Sequence, residues 1–161
     1  MKNRKIVRAS LFMALAVLFA GLLSPRAAQA QNVSQTAMAA SYSVTLKVLP
    51  PESFHGPKAE MVRDGGAEPN RLNGPAHPNH HLVAFIEANR KPLEHGKVEI
   101  RYRSASSKTG KWTTLPVVRM RVAGKGPGST HFGNNVELPA GDYEVRVTVD
   151  GKGPATFHFS L

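Results

Sequence analysis

The sequence predicts an all-β protein, an antiparallel β-sandwich of about seven strands in a single domain. Two observations lead to this prediction. Apolar and polar residues alternate with period two in several segments, as they do in half-buried strands. Turn signals containing Gly, Pro or Asp separate these segments at the spacing typical of sandwiches. Because residues 41–161 show no convincing amphipathic helix, an immunoglobulin-like arrangement is the fold that fits best.

The first 30 residues have the pattern of an export signal. Basic residues between Lys2 and Arg8 precede an apolar run, Leu11–Leu23, and the small-residue segment 28–30 resembles a cleavage site. The apolar run is shorter than the roughly 20 residues that a stable membrane span needs. We therefore expect cleavage after Ala30 and a periplasmic protein.

Charge and composition exclude several classes of function. The whole chain has a net charge of +10, but five of its basic and none of its acidic residues lie in the signal, so residues 31–161 carry +5. The basic residues form no long run, and nucleic-acid binding is not expected. The chain has no cysteine, which excludes disulfides, blue-copper centres, Cys-attached haem and iron–sulfur clusters.

The mature chain divides into a flexible leader, residues 31–40, and a sandwich domain, residues 41–161. The first strand runs from Tyr42 to Leu49 and ends before two prolines. Residues 52–79 are rich in Pro and Gly, which opposes regular structure, although a short helix is predicted at 58–63. Further strands are predicted at 81–88, 97–104, 112–122 with an interruption at Pro116, 134–138, 143–149 and 157–161.

Two histidine-bearing segments lie where loops become strands. The first is the segment 78–81, which ends in His80 and His81, and the second is the segment 130–135, which contains His131. Imidazole is the commonest metal ligand in proteins, so the two segments predict a small metal site. Since adjacent strand residues point to opposite faces, His80 and His81 can bind one ion only if the chain is irregular there.

Residues that follow His131 suit a supporting role. Gly133 permits a close backbone approach or a positive φ. Asn134 and Asn135 are placed to hydrogen-bond the second nitrogen of a ligating imidazole and fix its tautomer. The alternative is that these histidines and asparagines only tie loops together.

No enzymatic motif is convincing, and we predict that the protein is not an enzyme. Gly126–Thr130 places a serine among glycines but is not Gly-x-Ser-x-Gly, and no helix follows it. Gly124–Gly128 lacks the Lys-Ser/Thr ending of a phosphate-binding loop. The acidic residues alternate along strand surfaces and do not pair as an acid and a base would.

Two segments resemble a known family, the periplasmic ferrous-iron transport proteins, which are copper-binding accessory proteins of bacterial iron uptake. The segment 81–86, His-Leu-Val-Ala-Phe-Ile, resembles the family's His-Leu-x-Ala-x-Ile strand. Leu115–Val118 followed by the segment 131–136, His-Phe-Gly-Asn-Asn-Val, is similar to its Pro-x-Val and His-Tyr-Gly-x-Asn-Val segments. The likeness covers residues 41–150 and is specific only in these motifs.

The resemblance implies an immunoglobulin-like sandwich with a copper site in which His81 and His131 are ligands, a homodimer, and an inner-membrane iron permease as partner. The family's methionine ahead of the first motif is Gly74 here, and the acidic residues within that motif are Val83 and Phe85. The family's glutamate ligand has no clear counterpart either.

The leading hypothesis is a periplasmic accessory protein for metal uptake or handling. His81 and His131 bind the metal with His80 as third ligand, and copper is preferred to zinc or iron. The alternative is a sandwich that acts as an interaction module of the cell envelope without a metal. A separation of more than about 8 Å between the imidazoles of His81 and His131 would exclude a shared ion, because metal–nitrogen bonds are only about 2 Å long.

Overall fold

The structure, a computed structural model, describes residues 32–55, 61–63, 75–106 and 110–161. These residues form twelve strands and one short turn of 3-10 helix, Pro127–Ser129. The export signal predicted at residues 1–30 lies outside the described residues. None of the residues that are described belongs to a helix with the length and apolar character of a membrane span.

The larger of two sheets has eight strands. They are β1 (Val33–Ala39), β2 (Tyr42–Leu49), β3 (Ser53–His55), β4 (Met61–Arg63), β5 (His80–Ala88), β6 (Lys91–Pro92), β9 (Val118–Val122) and β10 (His131–Val136). The order across the sheet is β1-β2-β5-β10-β9-β4-β3, with β6 paired to the end of β5. Neighbouring strands are antiparallel except β4 and β9, which are parallel.

The smaller sheet has four antiparallel strands. They are β7 (Val98–Ser104), β8 (Thr113–Thr114), β11 (Asp142–Val149) and β12 (Ala155–Ser160), in the order β12-β11-β7-β8. The two sheets pack face to face as a sandwich, and this confirms the predicted fold class.

Alternate residues of each strand build the core between the sheets. On β5 the core residues are Leu82, Ala84 and Ile86, and on β11 they include Val145 and Val147. The intervening residues of β5 point away from this core, to the outer face of the larger sheet, where Val83 belongs to a second apolar cluster. The larger sheet is therefore buried on both faces along β5.

Tyr143 anchors the chain where it enters β11. Its hydroxyl donates to the carbonyl of Pro139, four residues upstream, at 2.6 Å. A tyrosine at a strand corner that bonds back to the upstream backbone is a feature of immunoglobulin-like sandwiches. The contact agrees with the sequence-based expectation.

The predicted flexible leader, residues 31–40, is wrong for most of its length. Residues 33–39 form β1, which pairs with β2 through seven residue pairs from Val33↔Val48 to Ala39↔Tyr42. The side chain of Gln35 also donates to the carbonyl of His158 on β12 at 2.8 Å, which joins the two sheets at this edge. In the turn between β1 and β2, Ala40 takes the left-handed conformation, with φ of 53°. Glycine or asparagine usually holds such a position, so this turn has no signal in the sequence.

Two further predictions need correction. The short helix predicted at 58–63 is wrong at Met61–Arg63, which is the strand β4, and residues 58–60 lie outside the described part. The interruption predicted at Pro116 is confirmed and has a larger consequence. The segment before it is β8 of the smaller sheet and the segment after it is β9 of the larger sheet, so the chain crosses between the layers here.

Candidate metal centre

The two histidines singled out by sequence meet on the outer face of the larger sheet. His81 lies on β5 and His131 on the neighbouring strand β10. The register pairs His81 with Asn135 and Gly133 with Val83, so His131 lies two residues further along β10, on the same face. The centroids of the two imidazole rings are 6.0 Å apart and the rings are nearly perpendicular, at 87°.

This separation is compatible with one shared ion. A nitrogen lies about 1.1 Å from the centre of its ring and about 2 Å from a bound metal, so two rings that share an ion have centroids no more than about 6 Å apart. The observed distance lies within the limit of about 8 Å that the sequence hypothesis set.

His81 is buried, with 1% of its surface exposed, and a carboxamide fixes its tautomer. Its Nδ1 lies 2.8 Å from Oδ1 of Asn135. That oxygen also accepts the backbone N–H of Glu52 at 3.1 Å, and Nδ2 of Asn135 donates to the carbonyl of Glu52 at 2.8 Å. Because the backbone of Glu52 determines which end of the amide is oxygen, Nδ1 of His81 must be the donor, and Nε2 carries the lone pair.

The Nε2 atom of His81 has no hydrogen-bond partner among the described residues, and it is buried. Burial lowers the pKa of His81 from its usual 6.5 to about 4, the hydrogen bond with Asn135 raises it, and the neighbouring His131 lowers it. The ring is therefore neutral at physiological pH. A buried acceptor without a partner is costly, and a metal ion is the chemical group that a neutral imidazole nitrogen binds best.

His131 is held in the same tautomer by the backbone. Its Nδ1 donates to the carbonyl of Ser129 at 2.8 Å, which puts the lone pair on Nε2. The ring stacks on Phe85 with centroids 5.0 Å apart and is 2% exposed. Lys47 lies over the same Phe85 ring, with Nζ 4.8 Å from its centroid. Both imidazoles are thus fixed in position before any ion binds.

Gly133 lies between His131 and Asn135 on β10, and no other residue fits there. A Cβ at this position would lie 2.1 Å from the carbonyl oxygen of Leu82 and 2.7 Å from Cα of Val83. Of the two roles predicted for this glycine, the structure shows the close backbone approach, and Gly133 is not among the positive-φ glycines. The outer face between the histidines therefore has no side chain from β10.

The structure does not bring His80 to this pair. His80 is the first residue of the regular strand β5 and pairs with Val136, whose side chain belongs to the core between the sheets. Alternation along the strand places His80 on the opposite face from His81. Its Nδ1 bonds the carboxamide oxygen of Asn79 at 2.9 Å, and partial burial lowers its pKa. The expectation that His80 is the third ligand fails, since it required an irregular chain at this point.

The hydrogen bond to an imidazole that the sequence predicted for the asparagines is present at Asn135, whose Oδ1 accepts from Nδ1 of His81. The amide of Asn134 points to the other side of β10 and donates to the carbonyl of Pro116 at 2.7 Å. Sequence reasoning missed the buried Glu52, whose backbone holds Asn135, and Phe54, whose ring lies 5.8 Å from that of His81. It also missed Met120 of β9, which pairs directly with His131. In the sequence, Met120 looks like any other apolar residue of an alternating strand, so its place beside His131 could not be predicted.

Within the described residues, no group of three or more His, Cys, Asp or Glu side chains is placed to hold a metal. The His81–His131 pair would therefore supply at most two ligands of this kind to an ion. A complete site needs another donor type, a donor outside the described residues, or solvent.

Fold and site together define a class: a β-sandwich with a pair of buried imidazoles on the outer face of one sheet. Solved structures of FetP and P19 resemble this chain. FetP of uropathogenic E. coli strain F11, recombinantly expressed in the periplasm, matches with a TM-score of 0.53 at 12% identity, over 81% of this chain and 95% of that chain. A copper-bound variant of the same FetP matches with a TM-score of 0.53 at 13% identity and the same coverage.

The copper-reconstituted P19 protein from Campylobacter jejuni matches with a TM-score of 0.48 at 13% identity, over 81% of this chain and 93% of that chain. At these identities the likeness to FetP is one of fold. No family model and no curated protein matches the sequence.

Proposed function

We propose that this protein is a periplasmic copper-binding accessory protein of metal uptake, and that His81 and His131 hold the ion through their Nε2 atoms. The main support is the buried Nε2 of His81, which finds no hydrogen-bond partner among the described residues and lies beside a second imidazole with the same tautomer. The fold shared with FetP, of which a copper-bound form is known, supports the choice of metal.

Imidazole nitrogen suits copper first and zinc next, while iron is the less favourable metal for this pair. A resident ion would be bound, kept from bulk water and presented to a partner. The protein's own residues set the affinity, because Asn135 and the Ser129 carbonyl orient the two rings. An inner-membrane iron permease as partner and a homodimer as the functional state are parts of the same proposal.

Metal titration of the mature chain, residues 31–161, tests this function. The wild type is expected to bind one Cu(II) per chain in competition with a chelator of known affinity. His81→Ala and His131→Ala should each weaken binding about 100-fold or more, since each removes a ligand. Zn(II), titrated in the same way, should bind at the same site but less tightly.

His158→Ala is the matched control, because His158 is an exposed histidine on the smaller sheet. This variant and His80→Ala should bind like the wild type. Absence of stoichiometric binding, or binding that survives the loss of both His81 and His131, would reject the metal function. The interaction module of the cell envelope would then be the remaining hypothesis.

A further inference from the structure

We infer that Met120 supplies a third, thioether ligand to the ion held by His81 and His131, and that the site therefore binds Cu(I) in preference to Cu(II). This inference rests on the proposed function. It assigns a ligand on a third strand and the oxidation state of the cargo.

Met120 lies on the same face of the larger sheet as His131. It lies on β9 and is paired with His131 in the β9–β10 ladder. Residues that are directly opposite in such a ladder point to the same face, with Cβ atoms about 5 Å apart. The side chain of Met120 is therefore on the outer face of the larger sheet, beside the imidazole of His131.

The Met120 side chain extends from β9 toward β5. Met120 is fully buried and forms an apolar cluster with Val83, which lies on β5. Strands β9 and β5 are separated by β10, so their backbones are about 10 Å apart. The β10 residue opposite Val83 is Gly133, and Cγ1 of Val83 leans over it, 2.7 Å from the position of a Cβ there. Met120, which packs with Val83 and is paired with His131, therefore borders the part of the outer face that carries the histidines.

The choice of methionine at this place is itself informative. The core between the sheets is built from Val, Leu, Ile, Ala, Phe and Tyr, and contains no methionine. Met120 is fully buried, whereas Met38, on β1, is 60% exposed. A soft, flexible thioether residue is therefore paired across the ladder with one of the two buried histidines.

This ligand set favours the monovalent ion. A thioether is a soft ligand and selects Cu(I), whereas imidazole accepts both oxidation states. Three neutral donors in a buried place leave the ion's charge uncompensated, and the cost of burying that charge is smaller for a monovalent ion. The chain has no cysteine to supply a thiolate, so methionine is its only sulfur donor.

Anaerobic competition with a Cu(I)-specific chelator tests the inference, with Met120→Leu as the variant and Met38→Leu as the matched control. Leucine keeps the apolar volume of methionine and removes the sulfur. Met120→Leu should lower the Cu(I) affinity about tenfold or more and change the Cu(II) affinity much less, while Met38→Leu should change neither. Equal Cu(I) affinities for Met120→Leu and the wild type would overturn the inference.

X-ray absorption at the copper edge gives a second readout that needs no variant. Wild-type protein loaded with Cu(I) should show one sulfur neighbour at about 2.3 Å in addition to nitrogen at about 2 Å. A spectrum with nitrogen or oxygen neighbours alone would contradict the inference while leaving the copper function intact. Failure of the wild type to bind copper in either oxidation state would instead reject the proposed function.

Discussion

Among single residues, the carboxamide of Asn135 determines which nitrogen of His81 carries the proton, and therefore that Nε2 has the lone pair. Oδ1 of Asn135 accepts a hydrogen bond from the His81 imidazole, and the amide is held by two further hydrogen bonds, to the backbone N–H and C=O of Glu52. Its orientation is therefore set by the main chain rather than by the histidine. A different orientation would leave Nε2 protonated and unable to bind a cation.

Asn135→Ala should weaken Cu(II) binding by about 10- to 100-fold, because His81 then loses the group that fixes its tautomer and ring angle. The loss should be visible in the same chelator competition, with a fall of about 1–3 kcal/mol in the free energy of unfolding from the hydrogen bonds removed.

Asn79→Ala is the control. Its amide also makes two hydrogen bonds to the backbone, both to Leu138, but lies away from the His81–His131 pair. It should lose stability and keep the affinity for copper. Equal affinities for Asn135→Ala and Asn79→Ala would mean that Asn135 plays no part in metal binding.

The buried state of His81 also predicts how stability depends on pH. The pKa of His81 is about 4 in the folded protein, mainly because of burial, against 6.5 in an unfolded chain. Between these values the unfolded chain takes up the proton and the folded protein does not, so protonation favours unfolding. The contribution of His81 is constant above pH 6.5. Below pH 6.5, protonation of this residue in the unfolded chain lowers the free energy of unfolding by roughly 1.4 kcal/mol per pH unit as the pH falls toward 4.

Urea unfolding of the metal-free protein from pH 7 to pH 4 measures this dependence. Because the rest of the protein also contributes to the pH dependence of stability, the test is the difference between variants. His81→Gln should show a shallower decline than the wild type, and His158→Gln should keep the wild-type slope. Parallel curves for His81→Gln and the wild type would show that the ring is not protected from protonation.

The sequence predicts part of this site and misses part. His81, His131 and Asn135 were predicted, because imidazole is the commonest metal ligand, an amide can fix its tautomer, and the motifs resemble those of a known family. His80 was expected as third ligand on the condition that the chain is irregular there, but β5 is already regular at His80, so its side chain takes the face opposite to His81. Met120 depends on cross-strand register, which one strand's sequence does not contain.

At the scale of elements, the approach of β10 to β5 depends on Gly133. Gly133→Ala places a methyl group against the β5 backbone, at the carbonyl of Leu82, and a backbone atom cannot move aside as a flexible side chain would. We expect a loss of about 3 kcal/mol or more in the free energy of unfolding, or failure to fold. Thermal unfolding followed by circular dichroism measures the effect.

Gly128→Ala is the matched substitution, because a Cβ there meets nothing within 4 Å. Its free energy of unfolding should lie within about 0.5 kcal/mol of the wild-type value. Similar melting temperatures for Gly133→Ala and Gly128→Ala would contradict the tight packing of β5 against β10.

Strands β1 and β4 show why some elements escape prediction. The inward residues of β1 include Gln35, Ala37 and Ala39, which are too small or too polar to give a strong period-two pattern. β4 has three residues and pairs in parallel with β9. Such a strand depends on a partner distant in the sequence, and its local pattern carries no information about that partner.

At the scale of the whole molecule, the sandwich has a conventional core and a second, outer layer on one sheet. The core between the sheets follows from alternation, which the sequence displays clearly, and so the fold class was predictable. Residues from Glu52 to Phe54 cover the outer face near His81. This cover packs against His81, and it comes from the Pro- and Gly-rich region for which the sequence predicted little regular structure.

The proposed function places one copper ion between His81 and His131 on this outer face. A crystal structure of the copper-loaded protein, with an anomalous difference map at the copper edge, tests it most directly. We expect a single strong peak per chain about 2 Å from Nε2 of both rings. A peak at any other histidine, or no peak from crystals that contain stoichiometric copper, would contradict it.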